Sequence, residues 1–132
     1  MGVNMQLSKI VTPKFRKSLD RLSSQELPIK AMFHLKGVVK ILKEEINKWD
    51  ELQLEAAKKW ADKNEHGQAI IEKNDGKTIL YKMKHENMLQ FAAELGELAK
   101  IEIDVPTINI ADLGSSVKLT TDDLIELDFL RD

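Results

Sequence analysis

The fold of this chain is decided by one uninterrupted stretch, residues 28–64, which reads PIKAMFHLKGVVKILKEEINKWDELQLEAAKKWADKN. Apolar residues recur in it at steps of three and four, as they do along one face of an α-helix. No proline interrupts the stretch after Pro28. The pattern therefore predicts one long helix over residues 28–64, about 54 Å in length at about 1.5 Å per residue. Its apolar face is predicted to comprise Met32, Leu35, Val39, Leu42, Ile46, Trp49, Ala56 and Trp60.

The segment after the long helix changes its period and predicts a β-hairpin over residues 68–82. Two short runs rich in β-branched and aromatic side chains are separated there by Asn74, Asp75 and Gly76. Asp-Gly between such runs favours a tight turn because both residues tolerate a positive φ. A third helix is predicted over residues 85–99 and would pack antiparallel against the long helix. Its apolar face would consist of Met88, Phe91, Leu95 and Leu98.

Shorter elements are predicted towards both ends of the chain. A threonine followed by a proline begins a short helix over residues 12–24, because proline fits the first helical position at no cost. Alternating apolar residues predict a strand over residues 101–110, which Pro106 breaks or confines to a sheet edge. Thr120, with an acidic residue three positions later, resembles a capping box and predicts a terminal helix over residues 121–130. The apolar stripe of that helix would be Leu124, Leu127 and Leu130.

These elements predict a single helix-dominated α+β domain over residues 1–132. A chain of 132 residues has the usual length of one domain and can bury one sizeable core. The long helix would pack on the shorter helices. The hairpin and the 101–110 segment would together form a small antiparallel sheet.

The composition of the chain excludes several classes of protein. No cysteine is present, which removes disulfides, thiolate metal sites and a cysteine nucleophile. No apolar run reaches the length of a signal peptide or of a membrane span. The net charge of −2 provides no strong field to attract nucleic acid or a membrane. We therefore expect a cytoplasmic protein that binds no membrane.

Charge is distributed unevenly along the chain. Residues 1–40 hold eight basic and two acidic residues, whereas residues 101–132 hold two basic and eight acidic ones. One interpretation is that the two ends lie side by side, within or between subunits, and neutralise each other. The alternatives are an acidic mimic surface and a basic patch that binds nucleic acid, formed by Lys14, Arg16, Lys17 and Arg21.

The sequence carries no catalytic signature. It contains no phosphate-binding G-x-x-x-x-G-K-[ST], no dinucleotide-binding G-x-G-x-x-G, no H-E-x-x-H and no G-x-S-x-G. Two histidines and two glutamates flank the hairpin, but a metal would require these side chains to converge. We therefore expect a binding protein that is not an enzyme and that uses no metal and no cofactor. The four flanking residues are Glu65, His66, His85 and Glu86.

Candidate ligand- or partner-binding residues surround Trp60. Trp49 and Trp60 lie about three helical turns apart and therefore on nearly the same face of the long helix. Core packing, contact across an oligomer interface and stacking on a ligand are all consistent with that spacing. Basic side chains next to an indole could hold an anionic planar ligand such as a nucleotide. The predicted site comprises Trp49, Lys59, Trp60, Lys63, His66 and Tyr81.

The length of the apolar seam predicts that the protein is a homo-oligomer. The helix expected over residues 85–99 is less than half as long as the seam and cannot cover it alone. Burying a large apolar side chain is worth about 1.5–3 kcal/mol, so an exposed seam would be costly. The residues expected at the oligomer interface are Val39, Leu42 and Ile46.

Five segments carry a resemblance to a known group of proteins. They are LPIK at 27–30, the middle segment 66–82, ELGEL at 94–98, IEIDV at 101–105 and LTTDDLIELD at 119–128. Together they resemble small proteins encoded by tailed bacteriophages and prophages, and the resemblance covers residues 27–130. It implies a viral protein that acts in the cytoplasm of a bacterial host, and it brings no catalytic residues to this chain.

Three hypotheses of function remain open, of which the resemblance implies the first two and the N-terminal basic residues suggest the third. The first is a non-catalytic binding protein that inhibits a bacterial defence system, either by binding a protein component or by sequestering a nucleotide signal. The second is an accessory or chaperone protein of virion assembly. The third, for which the net charge gives little support, is a nucleic-acid-binding regulator that uses the N-terminal basic patch.

Overall fold

The computed structural model describes residues 2–76 and 79–132. It confirms a helix-dominated α+β fold with one long helix and small antiparallel sheets. The helices are α1 (Leu7–Ile10), α2 (Pro13–Ser23), α3 (Ile29–Trp60), α4 (His85–Ala99) and α5 (Thr121–Glu126), with a 3-10 turn at Ile110–Leu113. The strands are β1 (Gly2–Gln6), β2 (Ile71–Asn74), β3 (Ile79–Tyr81), β4 (Glu102–Pro106), β5 (Ile108–Asn109) and β6 (Leu130–Arg131).

The contacts within the chain form two compact units. The first unit comprises Met1–Asn47 and Lys100–Asp132, and the second comprises Lys48–Ala99. The sequence did not predict this division. Whether the chain behaves as one domain stays a prediction.

The long helix α3 ends at Trp60, earlier than the predicted residue 64. After Trp60 the backbone leaves the helix, because the N–H of Asp62 donates to the carbonyl of Lys82, 2.7 Å away, instead of continuing the helical ladder. The buried face of α3 also differs from the predicted one, since Met32 is 53% exposed. Two apolar series keep the spacing of three and four, one through Met32 and Val39 and the other through Ala31 and Val38. The spacing alone does not show which of the two series faces the core. The buried face consists of Ala31, Leu35, Val38, Leu42 and Ile46.

The helix α2 forms as predicted. The hydroxyl of Thr12 accepts a hydrogen bond from the backbone N–H of Phe15 at 3.2 Å, which caps the helix, and Pro13 occupies its first position. The apolar face of α2 is fully enclosed in the core of the first unit. That face consists of Phe15, Leu19 and Leu22.

The first unit is closed by two strands that are far apart in the sequence. β1 pairs antiparallel with β4, so that Val3 lies opposite Val105 and Met5 opposite Ile103. The prediction that the hairpin and the 101–110 segment form one sheet is therefore wrong, because β4 pairs with β1 and the hairpin forms a sheet of its own. The sequence of β1, GVNMQ, alternates apolar and polar residues as a half-buried strand does, although no strand was predicted there.

The terminal helix is shorter than predicted. Its capping box is present, since the N–H of Asp123 donates to Thr120 Oγ1 at 3.1 Å and the N–H of Thr120 donates to Asp123 Oδ2 at 3.2 Å. The helix ends at Glu126, because the following residues leave it to form β6, which pairs in parallel with β5. The buried side chains are Leu127, Phe129 and Leu130, whereas Leu124 is exposed.

Two ion pairs join the basic start of the chain to its acidic end within the first unit. Lys9 Nζ lies 2.6 Å from Asp128 Oδ2, and an Arg21 guanidinium nitrogen lies 2.5 Å from Asp123 Oδ1. The structure thus shows a direct pairing of these two segments. It also places Arg21, one residue of the predicted nucleic-acid patch, in a contact with a buried carboxylate.

Asp123 is the buried charge of the first unit. Burial acts to raise the pKa of its carboxyl group, but hydrogen bonds from the Thr120 backbone and the Ser18 hydroxyl and the charge of Arg21 outweigh burial and hold the pKa below its usual range. The carboxylate therefore stays ionised in the core, where it links α2 to the start of α5.

Candidate partner-binding groove

The hairpin of the second unit is fixed to the end of α3 by backbone hydrogen bonds. The N–H of Asp62 donates to the carbonyl of Lys82, the N–H of Lys82 donates to the carbonyl of Ile70 at 2.9 Å, and the N–H of Ile70 donates back to the carbonyl of Asp62 at 2.8 Å. This closed set of bonds holds the strands beside the last turn of the helix.

The hairpin strands lie within the predicted segment 68–82. β2 and β3 pair antiparallel with an irregularity between Ile71 and Lys73. Gly76 has a φ of 86°, which supplies the positive φ expected of the turn. Lys77 and Thr78, which belong to the predicted hairpin, lie outside the described residues.

The helix α4 is attached to the same end of α3. The backbone N–H of Lys84 donates to Asp62 Oδ1 at 3.3 Å, and the side-chain amide of Asn87 donates to the carbonyl of Trp60 at 3.2 Å. The helix runs over His85–Ala99, as predicted, but none of its residues is buried in the described structure. An apolar face is therefore present on α4 without being enclosed.

An open groove of about 700 Å³ lies between α3, the hairpin and α4 in the second unit. Its lining is mostly apolar, and the charged side chains among the described lining residues are both acidic. We call it the groove. Its apolar lining is Leu54, Ala57, Ile79, Leu80, Tyr81, Met83, Met88, Phe91 and Ala92, and its polar lining is Asp50, Gln53 and Glu72.

The groove exposes large side chains that a folded protein usually covers. Leu80 is 50% exposed and Met88 is 52% exposed. Among the described residues of the second unit, Ala61 is the only one that is buried. A contiguous apolar surface of this kind is typical of a site that binds another molecule.

The predicted residues Lys59 and Trp60 form a cluster with Glu94. Lys59 Nζ lies 2.6 Å from Glu94 Oε1 and 5.0 Å from the centre of the Trp60 ring. The hydrogen bond from Lys59 holds the pKa of Glu94 below its usual range. The indole N–H of Trp60 also lowers this pKa, although it has no partner within hydrogen-bonding geometry among the described residues. The amine of Lys59 is thus already engaged by a carboxylate.

The other predicted site residues do not converge on one place. Tyr81 lines the groove, whereas Trp49 is half-buried and does not line it. Lys63 donates its amine to the carbonyl of Lys58. His66 is largely exposed, with Nε2 3.8 Å from Glu65 Oε1. The structure therefore brings only Tyr81 of the six predicted residues into the groove, and the apolar lining supplied by the hairpin and α4 was missed.

No group of three or more histidine, aspartate or glutamate side chains is arranged to hold a metal ion within residues 2–76 and 79–132. His66 and His85 do not form such a group with their neighbouring glutamates.

The residues predicted at an oligomer interface lie in the first unit. Leu42 and Ile46 are buried in the core of the chain itself, and Val39 is partly buried against that core. They are therefore not a free surface, and the prediction of an oligomer has to rest on other residues.

A second exposed apolar surface lies at the start of α3, in the first unit. Ile29 is 84% exposed, Met32 53% and Phe33 76%. Together with Lys36 they line a shallow depression of about 420 Å³. We call Ile29, Met32, Phe33 and Lys36 the α3 stripe. The apolar spacing of the sequence did not predict this stripe, because Met32 fits the predicted buried face and Ile29 and Phe33 fall outside the predicted apolar series.

In the part of the chain that the structure describes, no helix has both the length and the apolar character that a membrane span needs. No family model, curated protein or solved structure matches this chain.

Proposed function

We propose that this chain is a non-catalytic binding protein that holds an apolar segment of another protein in the groove. The observation that carries the proposal is the apolar lining of a cavity of about 700 Å³, in which Leu80 and Met88 are half-exposed. Covering this lining by a partner would release the hydrophobic free energy that the isolated chain leaves unused.

The shape and the chemistry of the groove favour a helical segment of the partner. Grooves between secondary-structure elements accept amphipathic helices whose apolar residues recur at i, i+3, i+4 and i+7. Met83 and Met88 supply flexible side chains that can adapt to such a segment. A nucleotide is supported less, since its phosphates would meet Asp50 and Glu72 in the groove, whereas the amine of Lys59 already pairs with Glu94.

The resemblance to bacteriophage proteins indicates where such a partner would be found. We propose that it is a protein component of a bacterial defence system in the cytoplasm of the host, and that occupation of its apolar segment inhibits it. The rival proposal is a role in virion assembly, in which the partner would be another phage protein.

The proposal is tested by capture of partners from phage-infected, defence-carrying cells. The tagged chain should retain a host protein, and Met88→Asp should lose it, because the substitution places a charge in the groove. Leu89→Asp is the matched control, since Leu89 is the neighbouring residue of α4, is 59% exposed and does not line the groove. Recovery of phage structural proteins alone would favour assembly instead. Equal capture by the Met88 variant would overturn the assignment of the groove.

A further inference from the structure

The α3 stripe has the spacing of a groove-binding segment. Ile29, Met32, Phe33 and Lys36 occupy positions i, i+3, i+4 and i+7 of one helix and therefore share a face. The three apolar members are more than half exposed, although large apolar side chains are normally covered. The chain thus presents on its own surface a segment of the kind that the groove is suited to hold.

The charges of the stripe and of the groove are opposite. Residues 27–43 contain Lys30, Lys36, Lys40 and Lys43 and no acidic residue. The groove contributes Asp50 and Glu72, and no lysine or arginine is among its described lining residues. Contact between two stripes or between two grooves would bring charges of the same sign together, whereas a stripe in a groove brings charges of opposite sign together.

We propose that the α3 stripe of one copy occupies the groove of a second copy. The proposal uses the groove assigned in the proposed function but requires no host partner. Because the two surfaces differ, a bound pair still presents one free stripe on one copy and one free groove on the other. Such a heterologous contact continues into a ring or an open chain of copies and does not stop at a symmetric dimer.

Self-assembly of this kind also regulates the groove. A partner segment and the stripe of a neighbouring copy compete for the same apolar lining. The fraction of open grooves therefore falls as the concentration of the protein rises, and a partner dissolves the assemblies by mass action.

The experiment is a complementation test by sedimentation velocity on the purified full chain. Phe33→Asp damages the stripe, and Met88→Asp damages the groove. Each variant alone should remain monomeric at tens of micromolar, where the unaltered protein forms dimers and larger species. An equimolar mixture should form dimers and nothing larger, because one intact stripe then meets one intact groove. Ile125→Asp and Leu89→Asp, at exposed apolar positions outside both surfaces, should assemble like the unaltered protein.

Three outcomes overturn the proposal. An unaltered protein that stays monomeric at all concentrations excludes assembly. If only the Phe33 variant loses assembly, the stripes bind each other, and if only the Met88 variant loses it, the grooves do. A circular dichroism melt of each variant confirms that it is folded before it is scored.

The two proposals fail in distinguishable ways. Phe33→Asp retains an intact groove, so it should lose self-assembly and still capture the host protein. Met88→Asp should lose both. Self-assembly without host capture would remove the proposed function alone, and host capture by a chain that is always monomeric would remove this inference alone.

Discussion

The two compact units of the chain use their apolar residues in different ways. In the first unit Phe15, Leu42 and Phe129 are completely enclosed, and the core joins α2, α3, both ends of the chain and the strand β4. In the second unit Leu80, Met88 and their neighbours line an open groove. The first arrangement secures a fold, and the second leaves free energy available for binding.

This difference teaches where mutations should act. A side chain that is already enclosed contributes its hydrophobic free energy to folding, and its loss leaves a cavity. A half-exposed side chain contributes less to folding and can contribute the remainder to a complex. Mutations of core residues in the first unit should therefore mainly lower stability, whereas mutations in the groove of the second unit should mainly weaken binding.

The largest expected effect is the loss of an aromatic core residue of the first unit. Phe15→Ala should lower the free energy of unfolding by about 3–5 kcal/mol, because Phe15 is fully buried and the site cannot collapse completely. Met88→Ala, at a half-exposed position, should lower it by less than about 1 kcal/mol. Denaturant unfolding of both variants measures the difference. Equal losses of unfolding free energy in the two variants would show that Met88 contributes as much to folding as Phe15 does.

A smaller effect is expected at the buried carboxylate of the first unit. Asp123→Asn should cost about 1–2 kcal/mol at neutral pH, because it removes charged hydrogen bonds to Arg21 and Ser18. The folded pKa of Asp123 is lowered, so its contribution is present above the ordinary aspartate pKa and is lost as the pH falls towards the folded value.

The pH dependence of unfolding checks this assignment. The difference in stability between the unaltered protein and Asp123→Asn should shrink below about pH 4, the ordinary range of an aspartate. Arg21→Gln should reproduce part of the loss. A difference that grows on acidification would contradict a lowered pKa.

The smallest effect is expected at Glu94 in the second unit. Glu94→Gln should leave the melting temperature unchanged, because the pair with Lys59 lies at the surface. The fluorescence of Trp60 should instead change as the pH falls through the pKa of Glu94, below the usual range of a glutamate. Measurement in a Trp49→Phe background isolates Trp60, and Glu94→Gln should abolish the transition. A transition that persists in this variant would assign it to another group.

Much of the fold follows from local signals in the sequence. Thr12 and Pro13 start α2, Thr120 and Asp123 form the capping box of α5, and Gly76 adopts the positive φ of the turn. Each of these signals acts within a few residues, so no tertiary contact is needed to predict it. Pairings between distant segments were not predicted, because β4 carries no local signal that selects β1 over the hairpin.

The groove was predicted only in part, for a related physical reason. Tyr81 was found through its position near Trp60, whereas Leu80 and Met88 carry the sequence signal of ordinary core residues. Periodicity shows that a helix face is apolar but not whether another element covers it. The exposed Phe33 was missed for the same reason, since a shift of one residue decides which apolar side chains of α3 face the core.

The pairing of β1 with β4 has a consequence for how the protein is made. During translation β1 is synthesised before β4, and its partner β4 follows only after the whole of Lys48–Ala99 has been synthesised. Contacts so distant along the chain form slowly, because a large loop has to close first. Among the described residues, β2 and β3 pair with each other inside the second unit, so their pairing requires no strand of the first unit. The pairing of β1 with β4 is therefore expected to form after the pairing of β2 with β3.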